Sequence, residues 1–97
     1  QRIVVDVTSQ PDLYLQISCI SSAIPQIVAH KTQYVHHGKN GFIVKDLSEI
    51  YKSLTYYLDN ITNWNKSMIY SYELSKQYNT ASLIRKWKGV MKQVEQD

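Results

Sequence analysis

The run Ile3-Val4-Val5-Asp6-Val7 constrains this chain most. It is a near-continuous stretch of β-branched residues, and it predicts a strand buried on both faces, as in a parallel sheet. Thr8-Ser9-Gln10-Pro11 follows. Pro11 suits the first position of a helix, where its missing N–H costs nothing. From Asp12 to Ser22 the spacing places Leu13, Ile17 and Ile20 on one stripe, with Leu15 and Cys19 beside it. Ala23-Ile24-Pro25 breaks that helix, and Gln26-Ile27-Val28-Ala29 reads as a second strand. Strand, helix and strand make a βαβ unit, for which a right-handed crossover is the strong default.

The residues after His30 read as loop up to the turn signal Asn40-Gly41, and Phe42-Ile43-Val44 reads as a third short strand. Asp46-Leu47-Ser48-Glu49 fits a capping box: an acceptor at the N-cap and a Glu three residues on. Behind it Leu47, Ile50, Leu54, Leu58 and Ile61 recur at helical spacing. Thr62 can cap a further helix carrying Trp64, Met68, Ser71 and Ser75. Asn79 can cap a last one carrying Leu83, Trp87, Val90 and Val94. The chain of 97 residues thus reads as a single α/β domain fragment. Residues 1–45 form a βαβ-type part with a third strand, and 46–97 form three helices. Three short strands make a narrow sheet, and an open sheet normally continues. Further sequence on the N-terminal side is therefore expected, as is self-association of the fragment through its unpaired apolar edge.

Composition narrows the function classes. At 43% hydrophobic and 20% charged, the chain is not disordered or of low complexity. Its one cysteine, Cys19, excludes an internal disulfide and a Cys-cluster metal site. The adjacent His36 and His37 point in different directions, with no acidic or Cys ligand beside them, so neither metal nor cofactor is expected. A net charge of +3 is mild. With no Gly-rich phosphate loop, aromatic-basic interleaving or recognition-helix pattern, it does not indicate nucleic acid. No apolar run approaches the ~20 residues of a membrane span. Eight Tyr against one Phe point to many half-buried positions with a polar tip in water. Tyr70, Tyr72, Lys76, Arg85, Lys86 and Lys92 form a basic, Tyr-rich candidate surface for an acidic protein partner or an anionic membrane surface. A plain solvated helix face is the other reading. Trp64 and Trp87 are expected in the core. Tyr56 and Tyr57 could dress an interaction surface.

The order of elements, together with Ser21-Ser22-Ala23-Ile24-Pro25 and Gly38-Lys39-Asn40-Gly41, resembles a known pattern. It is similar to the last part of the nucleotide-sugar-binding domain of GT-B glycosyltransferases of the retaining family four. That family has Ala-x-Gly-x-Pro where this chain has Ala23 in the Gly position. The resemblance implies a Rossmann-like half, with a short parallel sheet and flanking helices. It also marks a donor site, at Gln10, Asp12, Leu13, Ser18 and Gln33. The family has Glu at the positions of Gln10, Ser18 and Gln33. It has small glycines where this chain reads Pro11-Asp12-Leu13. These departures imply a relict site, with no catalytic residue retained.

The segment Val5-Asp6-Val7-Thr8-Ser9-Gln10-Pro11-Asp12-Leu13-Tyr14-Leu15-Gln16-Ile17, followed by Ile24-Pro25-Gln26-Ile27, resembles a narrower family. These are the glycosyltransferase-like Asp proteins of the accessory Sec system, which in Gram-positive bacteria exports serine-rich glycoprotein adhesins. The resemblance implies a non-catalytic, cytoplasmic component that docks other accessory components and the motor ATPase, peripheral at the inner face of the membrane. The alternative is an active retaining GT-B glycosyltransferase using a nucleotide-sugar donor with an altered site.

Overall fold

Residues 2–78 are described by the computed structural model. Strand β1 (Val4–Asp6) leads through helix α1 (Leu13–Ser21) to β2 (Gln26–Val28). An irregular segment then runs to β3 (Gly41–Ile43), followed by α2 (Leu47–Leu58) and α3 (Ile61–Ser75). The three strands lie in the order β1-β2-β3 and pair in parallel, with Val5 opposite Ile27 and Ile27 opposite Phe42. The β1–β2 crossover is helical, as the sequence predicts. Residues 29–40, joining β2 to β3, contain no helix. The last predicted helix, with Leu83, Trp87, Val90 and Val94, lies outside the described residues.

Each helix start is set by a short side chain that accepts an orphan N–H. Asp12 caps α1, its carboxylate accepting from Leu15 N–H at 3.0 Å. Pro11 therefore precedes the cap and does not open the helix. At α2 the predicted cap forms, with Asp46 accepting from Glu49 N–H at 2.9 Å, but Glu49 reaches one residue past the cap, to Lys45 N–H at 2.7 Å. At α3 the cap is Asn60, accepting from Thr62 N–H at 2.9 Å. Thr62 is thus the recipient of the cap, because Asn60 already offers an amide oxygen two residues earlier. The exit of α1 is a Schellman turn. Ile24 N–H reaches Cys19 C=O at 2.8 Å and Ala23 N–H reaches Ile20 C=O at 3.1 Å. Ala23 sits at the left-handed position, φ 56°, where glycine is normally used because it has no Cβ to clash.

Ile20 and Ile27 are completely buried, and each burial contributes on the order of 2 kcal/mol. Val28, Val35, Val44, Cys19 and Leu74 join them. Several predicted core positions lie elsewhere. β1 is only half-buried, with Val5 43% and Val7 42% exposed, because it is a terminal strand among the described residues. On α1 the buried residues are Gln16, Cys19 and Ile20, while Leu13 is half exposed. On α2 they are Ser53 and Tyr57, while Leu47 and Leu58 face solvent. Ile61, at the start of α3, is also exposed. Tyr57 is therefore core and not surface: its hydroxyl meets Ser67 Oγ at 2.8 Å, and burial pushes its phenol up to about 12. Trp64 is half-buried and donates its indole N–H to Arg2 C=O at 2.9 Å, tying α3 to the chain before β1. α3 packs against both α1 and α2.

The loop before β3 is stitched by one side chain. Asn40 is fully buried; its oxygen accepts His36 N–H at 2.6 Å and its amide donates to Tyr34 C=O at 2.9 Å. Gly38 turns the chain at φ 80°. Gly41 lies against β2 so closely that a Cβ would stand 1.9 Å from Gln26 C=O. The Gly-Lys-Asn-Gly segment therefore has a distinct job for each of three residues.

Candidate functional site

Parallel strands all end on one side, and the first loop there leads from β1 into α1. Asp6, the last residue of β1, organises that loop. Its Oδ1 accepts the Thr8 hydroxyl at 2.7 Å and Thr8 N–H at 3.3 Å, and its Oδ2 accepts Asp12 N–H at 3.4 Å. These bonds, led by the Thr8 hydroxyl, hold the Asp6 carboxyl below its ordinary value. The N-terminal end of α1 thus already carries two carboxylates, Asp6 beside the cap and Asp12 on it. The sequence reading missed Asp6. Its signal was the Asp-x-Thr spacing, which closes a local side-chain turn.

Of the predicted donor-site positions, Gln10, Asp12 and Leu13 are exposed around this helix start. Ser18 lies further along α1 and Gln33 in the loop after β2, both exposed. The loop is tied to α1 next to Gln33, where the Thr32 hydroxyl donates to Gln16 Oε1 at 2.8 Å. No interaction among the five positions themselves is formed.

The basic, Tyr-rich surface divides in two. Tyr70 is half-buried, its hydroxyl 2.6 Å from His36 Nδ1, with the Lys39 ammonium 5.7 Å above its ring. It works as a latch between α3 and the loop, so it is not an open contact residue. Tyr72 is 57% exposed, with Lys76 Nζ 5.2 Å over its ring. Lys76 also pairs with Glu73 at 3.1 Å, which raises its ammonium and offsets its charge locally. Two residues apart on a helix face different ways, which is why the Tyr pair does not act as one patch. Arg85, Lys86 and Lys92 lie outside the described residues. The thiol of Cys19 is buried, and burial pushes it up to about 11. Among the described residues no group of three or more His, Cys, Asp or Glu could hold a metal ion. No helix there is long and apolar enough to cross a membrane.

Three parallel strands, with a capped helix after the first and two helices after the last, define a small α/β unit. A family model matches residues 1–94, and the chain belongs to that family, the accessory Sec system proteins of the first Asp type, that is, accessory secretory protein 1. Two curated proteins of the same description are similar to it. One, from Streptococcus gordonii, is 38% identical over 92 residues, which is 95% of this chain and 18% of the relative. The other, from Staphylococcus aureus (strain NCTC 8325 / PS 47), is 43% identical over 83 residues, 86% of this chain and 16% of the relative. The chain therefore spans less than a fifth of these relatives' length. Two solved structures match as well. A chain in the structure of accessory secretory protein 1, 2 and 3 in Streptococcus pneumoniae aligns at TM-score 0.74 and 38% identity, covering 98% of this chain and 19% of that one. A chain of the glycosylation-associated Gap123 complex from Streptococcus agalactiae aligns at TM-score 0.73 and 43% identity, covering 87% and 17%.

Proposed function

We propose that this segment belongs to a glycosyltransferase-like GT-B component of the accessory Sec export machinery for serine-rich glycoprotein adhesins. It acts by docking other proteins and carries out no sugar transfer. The observation that carries this reading is the pair of carboxylates at the start of α1. In a nucleotide-sugar enzyme of this topology, free N–H groups at that helix start would approach the donor diphosphate. Here Asp12 spends its oxygen on Leu15 N–H, Asp6 takes Asp12 N–H, and Pro11 has none to give. A phosphate oxygen about 4 Å from one carboxylate would be repelled by roughly 4 kcal/mol at an effective dielectric typical of a protein surface. The solved relatives, one in a structure of accessory secretory proteins 1, 2 and 3 and one in the Gap123 complex, support partners among the accessory components. The reading extends to the motor ATPase, to an anionic membrane surface, and to a cytoplasmic position at the inner face of the membrane.

The test uses the full-length protein. Calorimetry with a panel of nucleotide sugars should give no specific heat. Export should survive Gln10→Ala with Ser18→Ala, whereas Arg85→Glu with Lys92→Glu should weaken the complex. Micromolar binding of one nucleotide sugar, lost on Ser18→Trp, would favour an active transferase instead.

A further inference from the structure

α2 buries one face and, among the described residues, leaves another without a partner. Ser53 and Tyr57 point inward, while Leu47, Tyr51 and Leu58 are 65%, 64% and 60% exposed. Their spacing of four and seven places them along one stripe, where a solvated helix normally carries charge. Two hollows lie along this side. One, of about 650 Å³, opens between the outer edge of β3 and α2 over Phe42 and Tyr56, with His37, Lys45 and Lys52 around it. The other, of about 780 Å³, follows Leu47, Tyr51 and Thr55. Lys52 and Tyr56 line both, so the two form one continuous groove. Its aromatic floor is fixed, since Phe42 and Tyr56 pack edge to face at 5.3 Å.

Two features decide what fits there. The first is that three outward backbone groups on the β3 edge are occupied. His37 Nδ1 accepts Ile43 N–H at 3.0 Å, Gly38 N–H donates to Gly41 C=O at 2.8 Å, and Glu49 accepts Lys45 N–H at 2.7 Å. An incoming strand finds little backbone to pair with, so an occupant must bind through side chains. The second is charge. Among the described residues neither the Lys45 nor the Lys52 ammonium forms an ion pair, and Glu49, the one acid on the groove, uses an oxygen on the backbone. The groove is apolar along α2, mixed in character over β3, and positive at its rim.

We infer that this groove docks a protein segment that brings apolar side chains flanked by Asp or Glu. The inference rests on the docking reading above and adds the β3–α2 groove as a contact surface. The full-length protein, carrying a benzoylphenylalanine photocrosslinker in place of Tyr51 or, as comparison, Tyr72, is assembled with purified accessory secretory proteins 2 and 3. Crosslinked peptides are then mapped. The Tyr51 position should crosslink to a partner segment with acidic residues beside its apolar ones. Lys45→Glu with Lys52→Glu should lower that yield about tenfold at low salt and less at high salt. Lys45→Arg with Lys52→Arg should keep it, and unchanged circular dichroism of each variant shows that folding is intact. Crosslinks from position 51 only to its own chain, or a yield indifferent to charge reversal, would overturn the inference. If position 72 crosslinks to the partners while 51 does not, this groove is excluded and docking stands. If the three proteins form no complex at all, docking itself fails.

Discussion

The two outer edges of the sheet are finished differently. Val4 N–H bonds to Pro25 C=O, so its neighbour Val5 turns N–H and C=O away from β2. Among the described residues nothing pairs with them, and the Val5 side chain is 43% exposed. Across the sheet, Val44 N–H bonds to Val28 C=O, which turns Gly41, Ile43 and Lys45 outward. Each of those three has a backbone group held, by Gly38, His37 and Glu49 in turn. Among the described residues one edge is thus open to another strand, and the other is largely closed by local side chains and a turn. Exposed edges invite pairing between chains unless blunted, so association of this chain is expected through β1 and not through β3.

The largest effect should come from the inner side of β3. Gly41→Ala would put a methyl group 1.9 Å from the Gln26 carbonyl, a backbone atom that cannot rotate aside. The strands must separate, and the expected cost is on the order of 3 kcal/mol, read as a lower urea midpoint. An unchanged midpoint would mean that β3 is not seated against β2 at all, and the contrast between the edges would lose one of its members.

Next in size is the closure of β3 itself. His37→Val leaves Ile43 N–H without its acceptor, which costs about 1 kcal/mol. The more diagnostic readout is association. Sedimentation at rising concentration should show more dimer for His37→Val than for the natural chain, because a second open edge has been made. Equal association would show that the imidazole does not guard the edge.

These devices differ in how far a sequence can reveal them. The Asp46–Glu49 cap was legible because both partners lie within four residues and the signal is chemical. Gly38 and Asn40 were legible as a turn, though not as a stitch to His36 and Tyr34, since those bonds depend on how the loop folds back. The buried faces of α1 and α2 were misread. Gln16 and Tyr57 are buried against tertiary partners, the Thr32 hydroxyl on Gln16 Oε1 and Ser67 on the Tyr57 hydroxyl, although Gln16 Nε2 is buried without a hydrogen bond. Ser53 instead returns its hydroxyl to Glu49 C=O within α2. Hydrophobic spacing gives such residues no credit, so the leucines took their places. Of the candidate site, the departures at Gln10, Asp12 and Ser18 were visible in sequence. The part played by Asp6 was hidden inside an apolar strand pattern.

A smaller effect concerns the end of β1, which is held by a charge. Thr8 keeps the Asp6 carboxyl below its ordinary value. The stabilisation this gives is fully present above the unfolded carboxyl value of about 3.9 and is lost as pH falls through the lower folded value. Thr8→Val should therefore flatten the acid limb of a stability–pH curve below about pH 4, slightly lowering the midpoint at neutral pH and leaving it unchanged at the acid end, where the natural chain has already lost this contribution. A curve with the same acid slope in both proteins would show that the Asp6 bonds do not survive in solution.

The smallest effect on stability, and the sharpest test of the comparison, is Val5→Lys. Val5 is the central residue of β1, with its backbone turned outward and its side chain partly in solvent. A lysine there can send its ammonium into water while its methylene stem covers the surface that the valine covered. The folded chain should therefore change by only about 0.5 kcal/mol. Its association should fall sharply, because two copies meeting edge to edge would bring like charges together where apolar side chains would otherwise pack. The same substitution at the other edge is uninformative, since β3 is already closed. Sedimentation of the natural chain, Val5→Lys, His37→Val and the double variant separates the edges. Val5→Lys should dissociate the natural chain, and the double variant should regain association through β3 alone. If Val5→Lys leaves association untouched, the chains meet elsewhere, and the openness of β1 is a feature of the strand without consequence for how copies of this chain interact.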